Sequence, residues 1–244
     1  MQPLPQVPSF RPLYQQVKDL LRQRIADGTW RPDQMLPSET KLAAELGVSQ
    51  GTVRKALDEL AAQNLVVRRQ GRGTFVAAHS PDTALFHFFH LVGDDGERQL
   101  PESQLLDCRR GIVGPREAER LDMATGALVL RIDRRRLLQG RPAILERIVV
   151  PQTLFPDLDR PDHGPLPNTL YDLYQRRYGV TIGRAVERLR AVAADAEEAA
   201  QLDVAPATPL LEIDRIALDI DGRPVEWRVS RCLTDRHSYL SELV

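Results

Sequence analysis

Two groups of arginines stand out for what they could bind. In the stretch RRQGRGTF, Arg68, Arg69 and Arg72 surround Gly71 and Gly73. Further on, Arg134 and Arg136 stand two residues apart, with Glu146 on the segment that follows. A guanidinium offers a planar fork of N–H donors that matches phosphate, carboxylate and the acceptor edge of guanine. The first group therefore suits an anionic polymer. The second suits a small anion or zwitterion, but it is equally consistent with an internal Arg–Glu ion pair.

The charge distribution separates the two groups. The 244 residues carry a formal net charge of −1, yet residues 1–78 hold 11 Lys and Arg against 7 Asp and Glu, and residues 79–244 hold 22 against 27. A net +4 front end on a net −5 body points to an anionic polymer at one end and a different partner at the other. With 42% hydrophobic and 27% charged residues, the composition is that of a soluble globular protein large enough for two domains. No run approaches the roughly 20 apolar residues of a membrane span, and the start lacks the pattern of a secretion signal. Cys108 and Cys232 have no metal-type spacing, and two lone thiols suit a reducing, cytoplasmic setting. His87 and His90 have H-x-x-H spacing but no acidic partner nearby, and they read as strand residues. No metal, cofactor or membrane partner is expected.

Three helices must position the first group. Tyr14, Val17, Leu21 and Ile25 form one helical face, with Gly28 beyond its end. After the breakers Pro32 and Pro37, Ser38 is a good N-cap for ETKLAAEL, which Gly47 ends. Ser49 caps a third helix, QGTVRKALDELAAQN, whose inward stripe is Val53, Leu57 and Leu60 and whose stop is Asn64. Two helices joined by so short a turn form a helix-turn-helix, whose second helix enters the DNA major groove. Its exposed early positions are Gln50, Gly51, Thr52, Arg54 and Lys55, types that read base edges or allow close approach. The hairpin behind it, with Arg68, Arg69, Gln70, Gly71, Arg72 and Gly73, makes a wing whose cationic tip fits a minor groove.

In the body, HSPDT (79–83) reads as a linker and LFHFFHLVG as a buried strand. A weak internal repeat follows. Residues 117–142 resemble 198–224, with Leu121-Asp122 matching Leu202-Asp203 and Ile132-Asp133-Arg134 matching Ile213-Asp214-Arg215. Each copy reads helix, turn, long strand, Gly-Arg-Pro turn, strand, which predicts an α+β domain on an antiparallel sheet. Between the copies, NTLYDLYQRRYG reads as a helix capped by Asn168 and stopped by Gly179. On strand 128–138 one face holds Leu128, Leu130, Ile132, Arg134, Arg136 and Leu138. On the return strand Glu146 shares a face with Ile144 and Ile148.

Residues 12–76 closely resemble the N-terminal domain of the GntR family of bacterial transcription regulators, through LPSE, VSQGTVRKALDEL and RRQGRGTFV in that order. The family often has Arg after LPSE, where this chain has Thr40. The resemblance extends the candidate DNA contacts to Ser38, Glu39 and Ser49. Residues 85–240 resemble the UTRA domain, the effector-binding domain of the HutC subfamily, through IDRRRLLQGRPAILERIVVP, TLYDLYQRRYG, DAEEAAQLDV and DGRPVEWRVS. That resemblance implies a chorismate-lyase-like fold and an effector cleft between two halves. It implies effector contacts at Arg134, Arg136, Glu146, Thr169, Tyr171 and Glu226. A family aromatic falls at Cys232 and a family arginine at Leu233.

The resulting expectation is a winged helix-turn-helix domain (1–78), a linker (79–84) and a UTRA-like effector and dimerisation domain (85–244). Its function is that of a regulator, most simply a repressor. It binds a palindromic operator as a homodimer and is released by a small anionic or zwitterionic metabolite. A lyase-like enzyme and an architectural DNA-binding protein without effector are the competing readings.

Overall fold

Val17, Leu21 and Ile25 recur at helical spacing, and in the computed structural model they lie buried along α1 (Leu13–Ala26). The structure describes residues 11–78, 89–94, 96, 100–159 and 165–241. The linker reading at 79–84, His87 and the start of the LFHFFHLVG run lie outside them. The chain divides into two compact units, Met1–Ala78 and His79–Val244.

In the first unit, α2 (Glu39–Leu46) starts at Ser38, whose Oγ accepts the Lys41 N–H at 3.2 Å, and ends at Gly47 with φ 66°. α3 (Gln50–Ala62) starts at Ser49, whose Oγ accepts the Thr52 N–H at 3.1 Å. Two caps and one left-handed glycine thus fix the turn between the helices. α3 is two residues shorter than its sequence pattern suggested. Gln63 is its C-cap, and Asn64 already has φ 56° outside the helix. The inward stripes of α1 and α3 meet, with Val17, Leu21, Val53, Leu57 and Leu60 each at 1% exposure or less. Each fully buried aliphatic of this kind contributes about 1.5–3 kcal/mol. β1 (Val66–Arg69) and β2 (Gly73–Val76) pair antiparallel and form the wing, with Arg68 opposite Thr74 and Arg69 opposite Gly73.

The second unit is built on one six-stranded antiparallel sheet. Its strands are β4 (Glu102–Ile112), β5 (Leu128–Leu138), β6 (Arg141–Pro151), β7 (Ile182–Ala193), β8 (Pro209–Asp219) and β9 (Pro224–Cys232), in the order β4-β5-β6-β9-β8-β7. The two copies of the repeat are α4 (Pro115–Leu121) with β5 and β6, and α6 (Ala196–Leu202) with β8 and β9. Both helices end on a left-handed aspartate, Asp122 at φ 51° and Asp203 at φ 58°. The copies meet where β6 pairs with β9.

α4 and α6 cover one face of the sheet through separate clusters, around Val129, Val149 and Trp227 and around Leu202, Leu210 and Leu233. α5 (Leu170–Tyr178) covers the other face through Leu170, Tyr171 and Tyr174, against Leu130, Ile132, Ile148 and Ala217. A two-stranded ribbon of β3 (Leu91–Gly93) and β10 (His237–Tyr239) completes the unit. Among the described residues the LFHFFHLVG strand is only Leu91–Gly93, because β10 offers just three partners. The α5 cap also differs from expectation. Thr169 is the N-cap and makes no side-chain cap bond, while Asn168 spends its Oδ1 on the Ser103 N–H at 2.9 Å.

Candidate functional site

The DNA-facing candidates lie at one end of the first unit. Gln50, Gly51, Arg54 and Lys55 are exposed on the first turns of α3, and Thr52 is half-buried. Glu39, at the start of α2, gathers three of the candidates. Its Oε2 accepts from Arg54 Nε at 2.9 Å and from Gln50 Nε2 at 3.3 Å, and its Oε1 lies 3.3 Å from Arg68 Nη2. Hydrogen bonding from Arg54 holds the Glu39 carboxyl below the usual carboxylate range, against a smaller opposing effect of burial. Lys55 Nζ sits 3.9 Å above the Tyr14 ring.

On the wing, Arg68 also reaches Asp58 at 2.6 Å, and Arg69 pairs with Asp33 at 3.0 Å while stacking on Phe75. Gln70, Gly71, Arg72 and Gly73 form the exposed tip, with φ 68° at Gly71 and 109° at Gly73. Both angles are costly for a residue with a Cβ, which is why glycine stands there. Arg72 makes no ion pair among the described residues, so it is the tip cation already available to phosphate. Ser38 and Ser49 face solvent, but their hydroxyls are engaged as helix caps.

In the second unit, the side chains that face α5 form rows across the sheet. Arg134 is opposite Glu146, which is opposite Ser230. One step along, Ile148 is opposite Arg228, which is opposite Arg215, which is opposite Glu187. Under the start of α5 these rows leave a cavity of about 60 Å³. Arg136, Glu146, Arg215, Arg228, Ser230, Thr169 and Tyr171 line it on the polar side, and Phe89, Leu91, Ile144, Ile213 and Cys232 on the apolar side.

Four of the six expected effector residues line this cavity: Arg136, Glu146, Thr169 and Tyr171. Arg134 and Glu226 stand behind it. Arg134 is 1% exposed and donates twice to Glu146 Oε2, at 2.6 and 3.1 Å. Glu226 is fully buried, accepts from Tyr171 and Tyr174 hydroxyls at 3.1 and 2.9 Å, and takes both edges of Arg228 at 3.0 Å. The two readings of the Arg/Glu pattern are thus divided between neighbours: Arg134 is the ion pair, and Arg136 is the cavity wall.

Sequence reasoning missed Arg215, Arg228 and Ser230. The repeat could have supplied the first, since Arg215 is the counterpart of Arg134, and strand alternation could have supplied the second, two residues from Glu226. Of the two family departures, only Cys232 touches the cavity. Leu233 faces the opposite side of the sheet, against Leu202 and Leu210 of the α6 cluster.

The electrostatics follow from burial and pairing. Burial would raise the Glu146 carboxyl, but Arg136, Arg134 and Arg228 together outweigh it and hold the group far below the usual range. Burial draws the Arg136 guanidinium down to about 10, with Arg134 and Arg228 adding to the effect and Glu146 only partly opposing it. Burial and Glu226 push the Tyr171 hydroxyl up to about 12, so it remains a donor. Burial also pushes the Cys232 thiol far up, which keeps it a neutral, poorly nucleophilic wall group.

Among the described residues no cluster of three or more His, Cys, Asp or Glu could hold a metal ion, and no helix is long and apolar enough to cross a membrane. The family model for the UTRA domain matches residues 97–238, and that for bacterial regulatory proteins of the gntR family matches residues 13–76. The chain is 30% identical over 230 residues to the HTH-type transcriptional repressor NagR of Bacillus subtilis, covering 94% of this chain and 93% of that protein. It is 33% identical over 205 residues to the histidine utilization repressor of Pseudomonas putida, covering 84% and 81%. Among solved structures, the ligand-binding domain of a GntR-family transcriptional regulator from Bordetella bronchiseptica is similar at TM-score 0.61 and 34% identity, over 65% of this chain and 99% of that one. PhnF from Mycobacterium smegmatis is similar at TM-score 0.55 and 26% identity, over 93% and 99%. A DNA-reading unit of one recognised type joined to a cavity-bearing unit of the other leaves one conclusion: the chain belongs to the GntR family of bacterial transcription regulators, in its HutC subfamily, and is a regulator rather than an enzyme.

Proposed function

We propose that the chain is an effector-controlled repressor that acts in the cytoplasm as a homodimer on a palindromic operator. Residues 1–78 bind DNA, 79–84 connect, and 85–244 bind effector and dimerise. In this reading Gln50, Thr52, Arg54 and Lys55 meet the major groove and close approach is allowed at Gly51. Ser38, Glu39 and Ser49 support the start of the two helices, and Arg68, Arg69, Gln70, Gly71, Arg72 and Gly73 follow the backbone and minor groove. The effector is a small anion or zwitterion in the cavity of Arg136, Glu146, Thr169 and Tyr171, with Arg134 and Glu226 fixing the walls.

The observation that carries the reading is the presence, in separate units, of an exposed arginine-rich recognition surface and a buried, cation-rich cavity. Footprinting on a duplex selected from a random library tests it. Two half-sites on one DNA face, with centres about 10 bp or a multiple apart, are expected. The metabolite that binds the cavity is expected to weaken operator affinity by about 5- to 150-fold. A monomer on a single unpaired half-site refutes the dimeric reading.

A further inference from the structure

Resting on the reading that the cavity takes an effector, we propose that this ligand is a small monoanion, a monocarboxylate rather than a phosphate dianion, and that Arg136 is its counter-ion. Three arginines line the cavity and Arg134 stands directly behind it, and three of these four already have a carboxylate. Arg134 holds Glu146 at 2.6 Å, Arg228 holds Glu226 through two bonds of 3.0 Å, and Arg215 holds Glu187 at 2.5 Å. Arg136 is left over. Its Nη1 donates a long 3.4 Å bond to Glu146 Oε1, so it only shares the carboxylate whose other oxygen Arg134 holds at 2.6 Å. Its Nη2 meets only the carbonyls of Pro101 and Asn168, at 3.3 and 3.2 Å. Its Nε has no partner among the described residues, although the side chain is 4% exposed.

Counting the four arginines against Glu146, Glu187 and Glu226, with His90 of the lining neutral at pH 7.5, the described charges sum to one positive charge, and it falls to Arg136 because Arg136 shares Glu146 with Arg134. A buried guanidinium without a matching anion is costly, and a ligand of charge −1 removes that cost. A dianion would overshoot and leave a buried negative charge unmatched. A second feature converges on the same spot. The first turn of α5 lines the cavity from Thr169 to Tyr171, and Thr169 makes no side-chain cap bond. Free N–H groups at a helix start bind carboxylates as well as phosphates, so the arginine, not the helix, sets the charge. Ile144, Ile213 and Cys232 then give the rest of the ligand an apolar wall.

Thermal unfolding of the full chain, with matched probes at equal concentration and pH 7.5, tests the charge count. The probes are acetate, butyrate, hexanoate and benzoate against methyl phosphate and phenyl phosphate. At least one monocarboxylate is expected to raise the melting midpoint by about 2–4 °C. The phosphates are expected to leave it unchanged. R136M is expected to fold, by near-ultraviolet circular dichroism, and to lose the carboxylate response. E146Q raises the net charge at the cavity by one and is expected to gain a response to the phosphates. A wild-type response to the phosphates equal to that for the carboxylates overturns the proposal. So does a carboxylate response that survives in R136M, or no response to any carboxylate. If the carboxylate binds through Arg136 but leaves operator affinity unchanged, the monoanion site stands and the repressor-release reading fails.

Discussion

Replacing Arg54 by alanine tests the base-reading role proposed for α3. In the free protein Arg54 is not idle, because its Nε and Nη2 both lie 2.9 Å from Glu39 Oε2. That leaves the Nη1 side of the guanidinium free for a base. A good bidentate contact to guanine discriminates by about 1–3 kcal/mol. The Arg54 side chain is 57% exposed, so solvent screens its pair with Glu39 and the pair is weak. Breaking or sharing that pair offsets only a fraction of the base contact. Arg54→Ala is therefore expected to weaken binding to the selected duplex by about 1–2 kcal/mol, roughly 5- to 30-fold, and to relax preference at one base position. Fluorescence-anisotropy competition with every single-base variant and a random duplex provides the measurement. A double-mutant cycle with Glu39→Ala separates the two contributions. An equal loss on selected and random DNA would make Arg54 a phosphate contact and refute the reasoning.

Arg72→Ala is expected to weaken binding to all duplexes alike and to reduce the salt slope by about 1 on a log–log plot; an unchanged slope would return the wing tip to a plain turn. Glu226→Ala is expected to cost the second unit about 3–5 kcal/mol in urea unfolding, because Arg228 and two tyrosine hydroxyls would be left buried without their acceptor. Acid is expected to unfold the second unit through Glu146. Its carboxyl is held far below the unfolded value of about 4.3, so its stabilisation is complete above that pH and is lost as pH falls toward the folded value. A folded E146Q should show a flatter dependence of stability on pH below about 4, and an unchanged slope counts against the assignment.

Most of the fold was legible because its signals are local. Ser38, Gly47 and Ser49 cap and stop helices through bonds that span only a few residues. The β5 and β6 strands declare themselves by alternation, and Leu128–Leu138 emerges with the expected bounds. Leu128 itself is the exception on the inward face, 49% exposed at the strand end. What sequence could not reveal was which of two arginines on one face has its charge spent. Arg134 and Arg136 have the same type and the same side of the strand. They differ because the first stands directly opposite Glu146 and the second opposite Ile144. Cross-strand register decides that, and register is a property of pairing, not of either strand alone. Asn168 shows the same limit, since a good cap residue was drawn away by the Ser103 backbone N–H, 65 residues earlier in the chain.

The doubling of the second unit sets an order on its assembly. Arg134 and Glu146 belong to one hairpin, whose turn at Gln139 and Gly140 has φ 51° and 75°, values that suit a tight two-residue connection. Such a hairpin closes a short loop and can form in microseconds. Arg228 comes to lie 3.5 Å from the same Glu146 across 82 positions of sequence, through the pairing of β6 with β9. Closing that longer loop is entropically dearer, and contacts of this span slow folding. The ion pair under the cavity is thus expected to form before the cavity has its second half. A nascent chain that has made only the first copy of the repeat can hold the charges of Arg134, Arg136 and Glu146 but has no chamber for a ligand. The cavity is complete only when β9, the last long strand in the chain, pairs with β6.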